Sequence, residues 1–200
     1  MHTPIDDRQT EEQQDQNVDN NQKNSETKDS TEKIFRIQAS AKHLELVSPV
    51  FKKLLTGGWK ETAELQDKGR VEITIEDWDI EALLILLRII HCRHDNIPRT
   101  VSLEVLAKIA LLVDYYQCRE SVKFFTDIWI SDLTEKETVP MQYSRKVILW
   151  LWVSDFFFIQ KEFQHATSTV MTYSSGSVNS LGLPIHTETL SKDWHFSNSI

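Results

Sequence analysis

The sequence predicts an α+β domain: a small sheet packed on a layer of helices, with a helical C-terminal extension and a disordered N-terminal tail. Three observations predict it. Residues 34–38 and 70–76 alternate apolar and polar side chains with the two-residue period of a half-buried strand. Elsewhere apolar residues recur at i, i+3, i+4 and i+7, the period of a helix that buries one face. The apolar content is also uneven. Residues 1–33 hold only Met1, Ile5 and Val18 against nine Asp/Glu and four Lys/Arg, a composition that cannot offset its own ordering entropy.

Order is expected from Ile34. In the first strand Phe35 and Ile37 oppose Arg36 and Gln38. Ser40 then offers an N-cap to a helix carrying Leu44 and Val47. Ser48-Pro49 starts another, with Ser48 as cap and Pro49 at the first helical position, where its missing N–H costs nothing. That helix carries Val50, Phe51, Leu54 and Leu55 and stops at Gly57-Gly58. In 70–76, Val71, Ile73 and Ile75 face one way and Glu72, Thr74 and Glu76 the other, the clearest strand pattern in the chain.

Asp77 or Asp79 caps a helix over 80–91 that is apolar almost all round and therefore internal. A loop over 91–99 stops at Pro98, and Ser102 caps a long helix with Leu103, Leu106, Ala107, Ala110 and Leu111 on one face. Residues 119–131 form the next helix, with Val122, Phe125, Ile128 and Trp129 assigned to the core. After a polar hinge containing Pro140, 145–156 is again apolar nearly all round, and 160–173 carries Phe163, Ala166, Val170 and Tyr173 as a stripe. The all-round apolar helix over 147–156 presents either thorough burial or a partner surface, and we favour burial. Leu181-Gly182-Leu183-Pro184-Ile185 is an apolar cluster suited to docking as an extended segment. The organisation is thus a disordered acidic tail at 1–33, a domain at 34–131, a hinge at 132–142, a helical extension at 143–174 and a mostly irregular tail at 175–200, without internal repeats.

Composition excludes several classes. A net charge of −8 with no Lys/Arg run lacks the electrostatic footprint of phosphate neutralisation, so no direct nucleic-acid partner is expected. Five glycines supply neither GxGxxG nor GxxxxGK[ST]. The N-terminus has no apolar h-region, and two cysteines make no disulfide framework. The longest apolar run, 147–159, is interrupted by Ser154-Asp155 and is too short to span a bilayer. An intracellular protein of the cytoplasm or nucleus, without a membrane partner, is the expectation.

Catalytic chemistry finds no support. His91, Cys92, His94 and Cys118 are the candidates for a metal site or an enzyme, but no CxxC pair accompanies them. The alternative is an imidazole at a helix C-terminus with thiols acting as small hydrophobes, and we favour it. The carboxylate pairs Glu76/Asp77 and Asp79/Glu81 sit at a helix start, where dipole and capping explain them. No strained G-x-S-x-G elbow is present, and the tryptophans and phenylalanines fall at core spacing. We assign no catalytic, cofactor-binding or metal residues, and no cofactor.

The run FRIQASAKHLELVSPVFKKLLTGGWKE resembles the strand, helix and SPVF helix of a BTB/POZ domain. VEITIEDWDIEALLILLRIIH is similar to that family's following acid-capped helix, and LAKIALLVDYYQCRESVKFFTDIW to its last two helices. SPVFKKLLTGGWKE, IEDWDIEALLILLRIIH, VDYYQC and LGLPI look most like fungal BTB-domain proteins, which carry a helical C-terminal extension. The resemblance covers about 34–131. It implies protein–protein interaction: self-association, or docking to a cullin as the substrate-adaptor arm of a ubiquitin ligase, with a dimerising transcriptional co-regulator as the alternative. The polar residues 1–33 offer no counterpart of the family's first strand. Where cullin-binding members carry a hydrophobic-x-Glu motif, this chain reads His91-Cys92-Arg93-His94-Asp95-Asn96-Ile97. On the family's pattern the partner-binding residues are Arg93, His94, Asp95, Asn96 and Ile97 of that loop, with Glu120 and Lys123 of the helix that follows.

Overall fold

The structure, a computed structural model, describes residues 34–173 and 179–185. The acidic tail 1–33 and most of the region after 174 lie outside them. The chain divides into two units, Met1–Ile37 and Gln38–Ile200. Of the first, residues 34–37 are described; they are exposed and form no regular element.

The second unit is helical. In chain order come α1 (Ala41–Val47), α2 (Pro49–Thr56), α3 (Lys60–Lys68), α4 (Ile80–Ile90), a 3-10 turn (His94–Asn96), α5 (Leu103–Tyr116), α6 (Arg119–Lys136), α7 (Arg145–Phe157) and α8 (Gln160–Tyr173). Among the described residues there is no strand, which corrects the expected α+β class. The alternation over 70–76 holds in its burial only at the start: Val71 and Ile73 are half-buried on the core, while Ile75, expected on the same face, is exposed along with Glu72, Thr74 and Glu76. Period two specifies which side chains can turn inward, but a strand also needs a neighbour to pair its N–H and C=O groups. Neither 34–38 nor 70–76 finds one among the described residues.

Three helix starts, those of α2, α4 and α5, follow from side-chain caps, whereas Ser40, expected to cap α1, makes no side-chain cap bond. The Ser48 hydroxyl accepts from the Phe51 N–H (3.1 Å), Asp79 from the Ala82 N–H (3.0 Å) and Ser102 from the Val105 N–H (3.3 Å). α3 escaped the sequence reading because its residues, KETAELQDK, are mostly polar and show no apolar stripe. Gly69 ends it in the left-handed conformation (φ 67°), its N–H donating to the Leu65 carbonyl (2.9 Å), a geometry glycine adopts without steric cost.

Helix α5 lies at the centre and packs against α2, α4, α6 and α7. Leu106, Ile109, Ala110 and Leu112 on it are completely buried. Each large side chain of this kind contributes about 1.5–3 kcal/mol by leaving water. The SPVF segment is fastened to the end of α5: the buried Ser48 hydroxyl donates to the Tyr116 carbonyl (2.6 Å), and Phe51 stacks on the Tyr116 ring with centroids 4.3 Å apart. Burial pushes the Tyr116 phenol up to about 12.

Helix α7 seals the other side of α5. Its Trp152 indole donates to the Ala107 carbonyl (3.2 Å), and Arg145 pairs with Glu104 at the start of α5. The Arg119 guanidinium lies over the rings of Phe156 and Phe158, 4.1 and 4.8 Å from their centroids, and so ties the start of α6 to the end of α7. Helix α8 packs against α7 through a face that includes the buried Ala166 and Val170, but the expected fourth member of its stripe, Tyr173, is 58% exposed. It occupies the last position of the helix.

Candidate functional site

The loop after α4 and the helix α6, far apart in sequence, are brought together. Cys92, with φ 54°, reverses the chain after α4, and the Arg93 N–H donates to the Arg88 carbonyl (2.8 Å). The 3-10 turn follows, and Arg88 holds it from α4 through a hydrogen bond to the Asn96 carbonyl (3.0 Å). Its other side meets α6. The His94 ring packs edge-on against Phe125 (5.6 Å), and the Trp129 indole donates to the Pro98 carbonyl (2.9 Å). Ile97 is buried (9% exposed) and anchors the turn from below, leaving Arg93, His94, Asp95 and Asn96 exposed on it.

Helix α6 buries Val122, Thr126, Trp129 and Leu133, positions spaced three and four apart. The face turned outward is not purely polar. Phe124 is 70% exposed and Ile128 46% exposed, so Ile128, assigned to the core from the sequence, lies at the surface instead. These two line a shallow groove with Asp127, Ser131, Asp132 and Glu135. Lys123 pairs with Asp127 (2.9 Å) and Lys136 with Asp132, while Glu135 enters no ion pair among the described residues. Glu120 is exposed on the first turn of the same helix. A second shallow groove lies between α4 and the loop, lined by Glu81, Ile85, Arg88, Asp95, Asn96, Ile97 and Pro98.

The sequence singled out the loop and two charges of α6 but missed Phe124, Arg88 and Glu81. Phe124 gave no signal because it adjoins Phe125 in the sequence, and either ring fits an inward stripe. α6 also runs past the expected end at Ser131 to Lys136. Leu133, one turn beyond Trp129, is buried there, and the Thr134 hydroxyl donates to the Ile130 carbonyl (2.9 Å).

The His/Cys candidates are engaged individually. The His91 imidazole accepts from the Ser40 N–H at Nε2 (2.8 Å) and donates from Nδ1 to the Leu87 carbonyl (2.8 Å), and it stacks on His43. That imidazole bridges the start of α1 to the end of α4. Cys92 is exposed; Cys118 is buried, and desolvation pushes its thiol up to about 12. Among the described residues no group of three or more His, Cys, Asp or Glu side chains could hold a metal ion, and no helix is long and apolar enough to cross a membrane.

What these elements present is a helical module with a partly apolar helix face beside a fixed turn. The chain belongs to the BTB/POZ domain family, whose model matches residues 22–133. No curated protein and no solved structure matches the chain. BTB domains are protein-interaction modules rather than a typical enzyme family, and this chain is accordingly a module for protein partners or self-association.

Proposed function

We propose that the chain docks a cullin-type scaffold through α6 and the 3-10 turn, acting as an adaptor of a ubiquitin ligase in the cytoplasm or nucleus. The observation that supports this reading is the exposed Phe124/Ile128 pair beside a turn braced from both α4 and α6. Partly exposed aromatic side chains on a rigid element are the usual anchors of an interface, because they bury much area with few rotamers to freeze. Asp127 and Asp132 on the rim of the groove are paired with Lys123 and Lys136, which leaves Glu135 as the carboxylate for a basic complement.

The test is titration of the full chain with the N-terminal region of a cullin, followed by light scattering. A complex of micromolar or tighter affinity is expected. Phe124→Asp should abolish it, and charge reversal at Arg93 or Asp95 should weaken it. No complex across that range overturns the reading, as does a complex indifferent to Phe124→Asp.

A further inference from the structure

Two irregular segments set apolar side chains on the core of the second unit, and their backbones differ. The segment 179–185 does so through a tight turn, not as the extended segment expected. The Leu183 N–H donates to the Ser180 carbonyl (2.9 Å) and the Ile185 N–H to the Leu183 carbonyl (2.8 Å), with both side chains buried. Residues 70–76 contain no turn or bend. None of their backbone N–H or C=O groups makes a hydrogen bond among the described residues.

This second segment is fixed at both ends and along one side. Gly69 and Asp77 flank it in the left-handed conformation, with φ of 67° and 65°. Val71 and Ile73 pack on the core, as does Trp78 just beyond, which meets the exposed Tyr115 ring edge-on (5.4 Å). The backbone is thus held in place before any partner arrives, which lowers the ordering cost of binding one. Its row of donors and acceptors stays open, and so does Ile75, 38% exposed. Arg70, Glu72, Thr74 and Glu76 are exposed, and their three charges enter no ion pair among the described residues.

We propose that residues 70–76 form a strand-addition site for a peptide segment of a partner protein. The peptide pairs antiparallel with them, lays apolar side chains beside Ile73 and Ile75, and sets Lys or Arg opposite Glu72 and Glu76 and an acid opposite Arg70. An unpaired backbone row is a template for a further strand: main-chain bonds give the affinity and alternate side chains the choice of partner. Opposite charges directly across an antiparallel pair are favourable and like charges unfavourable. The order base, acid, neutral, acid over Arg70, Glu72, Thr74 and Glu76 therefore selects a complementary order. A second copy fits less well, because full antiparallel overlap puts Glu72 opposite Thr74, whereas a different sequence compensates all three charges. The site shares no residue with the α6 face, so the two are tested independently.

The test uses the full chain and a fluorescein-labelled peptide, Lys-Val-Thr-Val-Lys-Val-Glu, followed by anisotropy. The charge-reversed peptide, Glu-Val-Thr-Val-Glu-Val-Lys, should bind at least about tenfold more weakly. Arg70→Glu/Glu72→Lys/Glu76→Lys, which alters exposed side chains alone, should invert that preference. Two forms of the first peptide, N-methylated at alternate residues in opposite phase, should differ. One should lose binding and the other keep it, because only every second N–H of a strand faces a given neighbour. Amide exchange within 70–76 should be fast in the chain alone and slow at alternate residues with peptide. No binding, an uninverted preference, or equal binding of the two methylated forms overturns the proposal. Amides of 70–76 that already exchange slowly without peptide overturn it too, since the row would then be occupied by the chain itself or by a second copy.

Discussion

Helices α6 and α7 are both rich in apolar residues, yet they meet opposite fates. In α7 the residues from Val147 to Val153 are buried without a break, enclosed by α5 and α8. In α6 the buried positions Val122, Thr126, Trp129 and Leu133 form one stripe, and Phe124 and Ile128 remain outside it. The more hydrophobic helix is the less available for partners. An apolar side chain signals an interface only where the chain's own elements fail to cover it, and here that happens on the less hydrophobic of the two.

The comparison breaks most readily at Trp150. This side chain has no exposed surface, and its indole N–H has no hydrogen-bond partner among the described residues, so it acts by volume. Trp150→Ala should cost about 3–5 kcal/mol in urea unfolding. Trp150→Phe, which deletes the unpartnered N–H and leaves a smaller void, should cost clearly less. Similar losses in both would mean that α7 is held by something other than packing.

Next in size comes Ser48, which caps α2 and grips the Tyr116 carbonyl from a buried position. Ser48→Ala leaves a buried carbonyl and an N–H short of partners. A loss of about 1–3 kcal/mol is expected, measured the same way. The residues that make this joint were legible in the sequence, since Ser-Pro followed by an apolar turn is a local helix-start signal. The tertiary half of the joint was not, because nothing local marks the end of α5 as the acceptor.

The same division runs through the molecule. Helices α4 and α5 were legible because a cap precedes a sustained apolar run or stripe, and α7 and α8 because the apolar pattern alone is long enough. α3 was not, having neither, and the expected sheet failed because alternation at 70–76 says which side chains can turn inward and nothing about a pairing partner. On α6 the apolar residues 122, 124, 125, 128, 129, 130 and 133 occupy more than one face. Periodicity alone does not choose among such faces. The choice is made by Pro98, which accepts the Trp129 indole, and by His94, which meets Phe125. The loop half of the candidate surface came from the family resemblance, and the helix half needed the packing.

A smaller effect is expected at Asp79, where a hydrogen bond from Lys108 (2.8 Å), reinforced by the Ala82 N–H, holds the carboxyl below its ordinary value. A carboxyl lowered in the folded state adds stability above its unfolded value, near 3.8, and that stability is lost as pH falls through the folded value. Asp79→Asn keeps a capping side chain and removes the charge. It should cost roughly 0.5 kcal/mol at pH 7, as befits a partly exposed pair, and the gap to the unaltered chain should narrow in unfolding curves recorded at successively lower pH below 3.8. A gap that persists in acid would assign the effect to the cap rather than to the pair.

The smallest expected effect on stability is at the residue of most interest. If Phe124 is held only by its own helix and by edge contact with Phe125 (5.4 Å), Phe124→Ala should shift unfolding by no more than about 0.5 kcal/mol, as for surface substitutions generally. Ile128→Ala, on the same face and half covered, should shift it by somewhat more. The pair then separates two properties that core residues combine. In α7 a truncation that weakens any interaction must first weaken the fold. On α6 the fold is indifferent and a partner is not, so a docking role for this face requires affinity to fall while the unfolding midpoint stays in place. A loss of 2 kcal/mol or more in the isolated chain, a typical core truncation, would show that Phe124 is covered by the chain itself, and α6 would join α7 as an internal helix.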